Sequence, residues 1–139
     1  MRFWDTSGVI KLLVEEPDTR RARELMAWDE QMAVWWCTPV ECWSALARLR
    51  REERLAEPVV EAATANLDIL RGVWYEVLPT EEVRRQARRV LRLHRLRASD
   101  ALQLAAALVW VDTFEEGEFV CFDARLREAA RLEGLLAIM

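Results

Sequence analysis

The chain has 139 residues, 53% of them apolar and 32% charged, with a formal net charge of −4. That length is expected to form a single domain over residues 1–139, large enough to bury a proper core, and the composition excludes a disordered chain. The longest apolar run, Ala101 to Val111, is interrupted by Gln103 and is too short to span a bilayer, so no membrane role is expected. The net acidity argues against indiscriminate coating of nucleic acid. The start Met1-Arg2-Phe3-Trp4-Asp5 lacks the apolar stretch of a signal peptide. Three cysteines (Cys37, Cys42 and Cys121) cannot pair fully within one chain. The chain therefore reads as cytoplasmic, with its thiols acting as small apolar residues. Their spacing with the single histidine, His94, fits no zinc-finger pattern.

In chain order, Arg2 to Trp4 reads as a short strand and Thr6 to Glu16 as a helix with Val9, Ile10, Leu12 and Leu13 on its apolar face. Pro17 and Asp18 break it. Thr19 to Asp29 reads as a second helix, with Ala22, Leu25 and Met26 inward and Trp28 a further candidate. Met32 to Cys37 is apolar without alternation, as expected of a strand covered on both faces. Thr38-Pro39-Val40-Glu41 opens a helix that runs to about Arg54 and ends near Pro58. Val59 to Arg71 is helical, Trp74 to Leu78 is a strand, and Glu81 to Arg95 is an arginine-rich helix. Ser99 to Val111 is an almost wholly apolar, buried helix. Glu118 to Phe122 is a strand and Asp123 to Leu132 a helix with Gly134 as its C-cap, and Leu135 to Ile138 adds a last strand. Strands alternating with helices argue for an α/β fold, with a mainly parallel sheet and helices on both faces.

Four acids, Asp5, Glu41, Asp100 and Asp123, each stand where a helix begins. Singly, each has a local explanation. Asp5 and Asp123 can cap helices. Thr38-x-x-Glu41 matches a capping box. Asp100 is a first-turn acid favoured by the helix dipole. Glu81 and Glu82 after Thr80 are similar acids without an assigned role. Asp5 and Asp123 also end strand-like runs, however, and in an open α/β sheet strand ends and helix starts share one edge, where ligands bind. Four carboxylates converging there repel one another unless a cation offsets them. Hard divalent ions, Mg²⁺ or Mn²⁺, favour oxygen ligands, so a metal-dependent phosphodiesterase is the first hypothesis. Asp100, at the mouth of an apolar helix, should have a raised pKa without such a cation.

Other chemistries lack their parts. There is no Gly-rich phosphate loop, and the lone His94, in the arginine helix and expected to be exposed, supports no Ser–His–Asp arrangement. A haloacid-dehalogenase-type phosphatase needs a second Asp two residues after Asp5, where Ser7 stands. From Val83 to Ser99 there are seven arginines and no acid. Arg84, Arg88, Arg92 and Arg95 recur at near-helical spacing, as a phosphate-binding stripe or, the slightly favoured reading, a solvated face. Arg97, just before Asp100, is a candidate to contact a substrate phosphate. Of the seven tryptophans, Trp28 and Trp43 are candidate anchors for a dimer or partner surface.

The ordered set of Asp5-Thr6-Ser7 after a strand, Glu41 early in a helix, Arg97-Ala98-Ser99-Asp100-Ala101, and Phe122-Asp123-Ala124-Arg125-Leu126 with Ala129-Ala130 resembles a PIN domain over nearly the whole chain. More narrowly it resembles the small VapC-type toxins of toxin–antitoxin pairs. The resemblance implies a three-layer α/β/α sandwich and Mg²⁺- or Mn²⁺-dependent cleavage of RNA. Asp5 and Asp100 would be the main metal ligands, with Glu41 completing the set and Asp123 holding a second metal or a water. Thr6 or Ser7 would support Asp5. It further implies a cognate antitoxin that lays a segment over the helices near Thr6 to Trp28, and a two-fold homodimer is the default assembly. Cys121 departs from the family pattern, which often has Thr two residues before the last acid, and a thiol is the weaker hydrogen-bonding group. A housekeeping RNA-processing nuclease without antitoxin and a non-catalytic PIN interaction module are the alternatives.

Overall fold

Five short strands, each buried on at least part of its length, form one parallel sheet in the order β3-β2-β1-β4-β5. The structure is a computed structural model that describes residues 1–114 and 117–139. Its elements are β1 (Arg2–Trp4), α1 (Thr6–Leu13), α2 (Thr19–Trp28), β2 (Met32–Trp35), α3 (Thr38–Arg51), α4 (Glu57–Arg71), β3 (Tyr75–Val77), α5 (Glu81–Leu93), α6 (Ala98–Phe114), β4 (Glu118–Val120), α7 (Ala124–Leu132) and β5 (Leu136–Ile138). Parallel strands need crossovers, and every connection here carries at least one helix. Phe3 of the central strand registers with Ala33 on one side and Phe119 on the other.

Alternation along the strands divides the core in two. Phe3, Ala33, Trp35 and Phe119 face α5, α6 and α7. Trp4, Met32, Val34 and Val120 face α1 to α4. The result is the expected α/β/α sandwich. Helix α6 lacks a polar face because it is enclosed by the sheet, α5 and α7. Helix α5 is its opposite: Val83, Ala87 and Val90 are buried while its arginines face outward. Among the described residues no helix is long and apolar enough to cross a membrane.

The differences from the sequence reading lie at element ends. Helix α1 stops at Leu13 rather than Glu16. Val14 turns extended and its carbonyl accepts from the buried Thr19 hydroxyl at 2.9 Å, while Pro17 disfavours helix before it. Helix α3 ends at Arg51, with Glu53 left-handed at φ 56°. Pro58 starts the next helix instead of ending the previous one, sitting in the first turn where its missing N–H costs nothing. Gly134 follows the last cap at φ 88°, as its C-terminal position requires. Trp28 does not face inward: it is 84% exposed. His94 is not exposed either; its Nε2 lies 2.7 Å from Glu133 Oε1.

Gly8 sets how closely α1 sits on the sheet. A Cβ there would stand 3.1 Å from the buried Trp4 ring and 3.3 Å from the Val120 carbonyl, neither of which can yield easily. Helix propensity alone favours almost any residue over glycine at this position. Packing predicts the reverse for Gly8→Val, a loss of about 1–3 kcal/mol from overpacking, measurable by urea unfolding.

Candidate active site

An open cleft of about 710 Å³ lies outside the carboxyl ends of the strands and is lined by all four predicted acids. Asp5 follows β1 and Asp123 comes three residues after β4. These two paired strands flank the point where the strand order reverses, the expected ligand position in an open parallel sheet. Glu41 comes from the first turn of α3 and Asp100 from the first turn of α6.

Asp5 is almost fully buried and caps α1. Its Oδ1 accepts from the Ser7 hydroxyl at 2.7 Å and the Gly8 N–H at 3.0 Å, and its Oδ2 faces the Cys121 thiol at 3.5 Å. Ser7 in turn accepts from the Phe122 N–H at 2.8 Å, tying the start of α1 to the exit of β4. Burial pushes Asp5 up to about 6 despite these hydrogen bonds. Burial, reinforced by the Asp5 charge, also raises Cys121, which therefore stays a thiol and can donate. The sulfur thus takes up the supporting place that a hydroxyl would hold.

The capping box read at Thr38 does not form. Cys37 is the N-cap residue and Thr38 lies inside the helix. The Glu41 carboxylate instead accepts hydrogen bonds from the Thr6 hydroxyl and from Gln103 Nε2. Thr6 therefore supports Glu41, while Ser7 supports Asp5. Glu41 titrates high because of burial, with the Asp100 charge adding to it. Asp100 is raised chiefly by burial and then by Asp123, against the opposing charges of Arg97 and Arg125. Asp123 is exposed and caps α7, its Oδ1 accepting from the Leu126 N–H at 2.8 Å. Arg97 is not part of the cleft wall, although its charge acts on Asp100.

Gln103 is a site residue to which the sequence reading gave no role. One turn after Asp100, its Nε2 also reaches the hydroxyls of Thr6 at 2.8 Å and Thr38 at 3.1 Å. It thereby joins the starts of α1, α3 and α6. Its Oε1 is buried without a partner among the described residues. The available signal was a lone amide in an otherwise apolar stretch.

The donor set is oxygen throughout, which suits Mg²⁺ or Mn²⁺. Among the described residues no three acid, imidazole or thiol groups stand close enough together to hold a metal ion between them. An octahedral ion that keeps several waters and rests on one or two carboxylates plus substrate phosphate does not need such a cluster. Of the two basic residues lining the cleft, Lys11 is committed to Glu16 at 2.6 Å, whereas Arg48 is exposed and forms no ion pair among the described residues. The acids thus fit a divalent cation by donor chemistry.

The PIN domain family model matches residues 2–132. Among solved structures, the chain is similar to FitAcB from Neisseria gonorrhoeae, with a TM-score of 0.66 at 15% identity, covering 100% of this chain and 97% of that one. It is also similar to PAE2754 from Pyrobaculum aerophilum, with a TM-score of 0.60 at 21% identity, covering 98% of this chain and 87% of that one. At these identities the likeness speaks for the fold. Among curated proteins none matches the sequence significantly.

Asp5 leaves a signature in pH. Its folded pKa of about 6 lies above its ordinary value of 3.8. Folding therefore favours the protonated carboxyl, a contribution complete below about pH 4 and lost as pH rises through about 6. The gap corresponds to about 3 kcal/mol. Without divalent cations, Asp5→Asn, which keeps an acceptor at the helix cap, is expected to be more stable than wild type at pH 7.5. The advantage should shrink toward pH 4 in urea unfolding, and parallel stability profiles would contradict the assignment.

Proposed function

The chain belongs to the PIN domain family, and from that premise we propose that it is a Mg²⁺- or Mn²⁺-dependent endoribonuclease, the toxin of a toxin–antitoxin pair. The observation that carries this reading is the convergence of Asp5, Glu41, Asp100 and Asp123 on one cleft, with three of them raised by burial. Asp5 and Asp100 would be the main ligands, Glu41 would complete the set, and Asp123 would serve a second ion or an ordered water. When bound, the cation supplies charge neutralisation at the phosphate and lowers the pKa of water.

The chain's own residues hold that site in shape. Ser7, the Gly8 N–H and Cys121 fix both oxygens of Asp5. Thr6 and Gln103 aim Glu41 into the cleft from the neighbouring helix. Asp123 is fixed by the first turn of α7. The reaction is hydrolysis: a water oxygen attacks phosphorus in line and the P–O bond to the leaving ribose oxygen breaks. Such preorganised geometry is a large part of phosphodiester catalysis.

The partners follow from the same reading. A homodimer or an antitoxin would use the exposed tryptophans Trp28, 84% exposed, and Trp43, 40% exposed. The antitoxin would cover α1 and α2 and set a basic side chain among the acids. A cytoplasmic location suits an RNA substrate and the free thiols.

Purified protein is expected to cut single-stranded RNA with Mg²⁺ or Mn²⁺, to stop with chelator, and to lose activity in Asp100→Asn. Gln103→Leu, which leaves all four acids in place but removes the hydrogen bond to Glu41, should lower activity or metal affinity by about 10–100-fold through misplacement of Glu41. Cleavage by wild type that survives both chelation and Asp100→Asn would remove this reading.

A further inference from the structure

A second cleft of about 540 Å³ adjoins the first. Its walls include Arg95 and Leu96, between α5 and α6, and Arg125, Glu128 and Leu132 of α7. The two clefts share a ridge. Leu96 lines one and Ser99 the other, and Arg125 lines one and Asp123 the other. Arg97 stands on the same ridge, and its charge, with that of Arg125, acts on Asp100.

The chemistry of this groove is unlike that of the acid cleft. Among the described residues no acid forms an ion pair with Arg95, Arg97 or Arg125. The acids nearby are engaged: Glu133 with Arg89 and His94, and Glu128 with Arg131 at 3.9 Å. Three guanidinium groups therefore stand along this groove and beside Asp100 without a salt-bridge partner among the described residues. Arginine is well suited to phosphate through its planar fork of donors. The floor is apolar, and Leu132 is 69% exposed.

Resting on the nuclease reading, we infer that this groove receives the RNA strand flanking the scissile phosphate: Arg97 and Arg125 hold the next phosphate, and Arg95 holds one beyond it. The strand must be single. In a duplex the bases are stacked and paired inward, whereas an unpaired base can shed water against Leu96 and Leu132. The acid cleft alone could not draw in a polyanion, since its four carboxylates oppose it; the ridge arginines supply the attraction that brings the backbone to it. The arginines on the outer face of α5, such as Arg88 and Arg92, lie outside both clefts and have no part in this path.

The test is fluorescence anisotropy with an eight-nucleotide single-stranded RNA in chelator, across a salt series, for wild type, Arg95→Gln/Arg125→Gln and Arg88→Gln/Arg92→Gln. All four positions are exposed, and unchanged melting temperatures check the fold. The Arg95/Arg125 pair is expected to weaken binding by about 10-fold or more and to reduce the salt slope by about 1.4, two contacts at about 0.7 each for a single strand. The Arg88/Arg92 pair should stay within about twofold of wild type. Metal-dependent cleavage is read on the same proteins. If wild type binds and cleaves but the Arg95/Arg125 pair keeps affinity and slope, the groove assignment is wrong and the nuclease reading stands. If wild type neither binds nor cleaves RNA, both fall.

Discussion

A carboxylate buried at the end of the central strand is the constraint around which this molecule is arranged. Asp5 must follow β1 because α1 needs its cap, and β1 must be central because four other strands build outward from it. That placement removes the carboxylate from water. Its hydrogen bonds from Ser7, Gly8 and Cys121 offset only part of the cost, so its pKa settles at about 6. At neutral pH the group is mostly charged in an environment that disfavours charge. Glu41 and Asp100 line the same cleft and are likewise raised by burial. A cation in the cleft would offset part of that pressure.

The rest of the sandwich serves that edge. Helix α6 is apolar on every side because it fills the space between the sheet, α5 and α7, which leaves its first turns as the part able to carry polar function. Asp100 and Gln103 occupy those turns. Through one amide nitrogen, Gln103 links Thr6, Thr38 and Glu41, so the mutual positions of α1, α3 and α6 are set at the cleft rather than only in the core. The close approach at Gly8 does the same for α1 and β4.

The order of elements was legible in the sequence, because the strands are short apolar runs and the helices carry clear periodicity. The four acids were legible for a related reason: positions after strands and at helix starts map onto one edge once the sheet is parallel. What sequence could not supply was which groups partner which. Glu41 matches a local capping pattern, but a long-range bond to Thr6 and Gln103 overrides it. Gln103 interrupts an apolar run, and nothing local shows that it points toward the cleft. Trp28 fits the apolar side of α2 by residue type, yet it ends the helix beyond the edge of the core. His94 lies among arginines, and nothing near it in sequence points to its partner, Glu133.

The central claim is that the cleft is short of positive charge until a divalent cation arrives. Thermal unfolding at pH 7.5, with and without millimolar Mn²⁺ or Mg²⁺, measures this most directly on wild type and Asp100→Asn. Preferential binding to the folded state stabilises it by about 2.7 kcal/mol at a hundredfold excess over Kd, a rise of several degrees for a domain of this size. The account predicts such a rise in wild type and its loss in Asp100→Asn. An unchanged melting temperature in wild type, or an equal rise in both proteins, would contradict it.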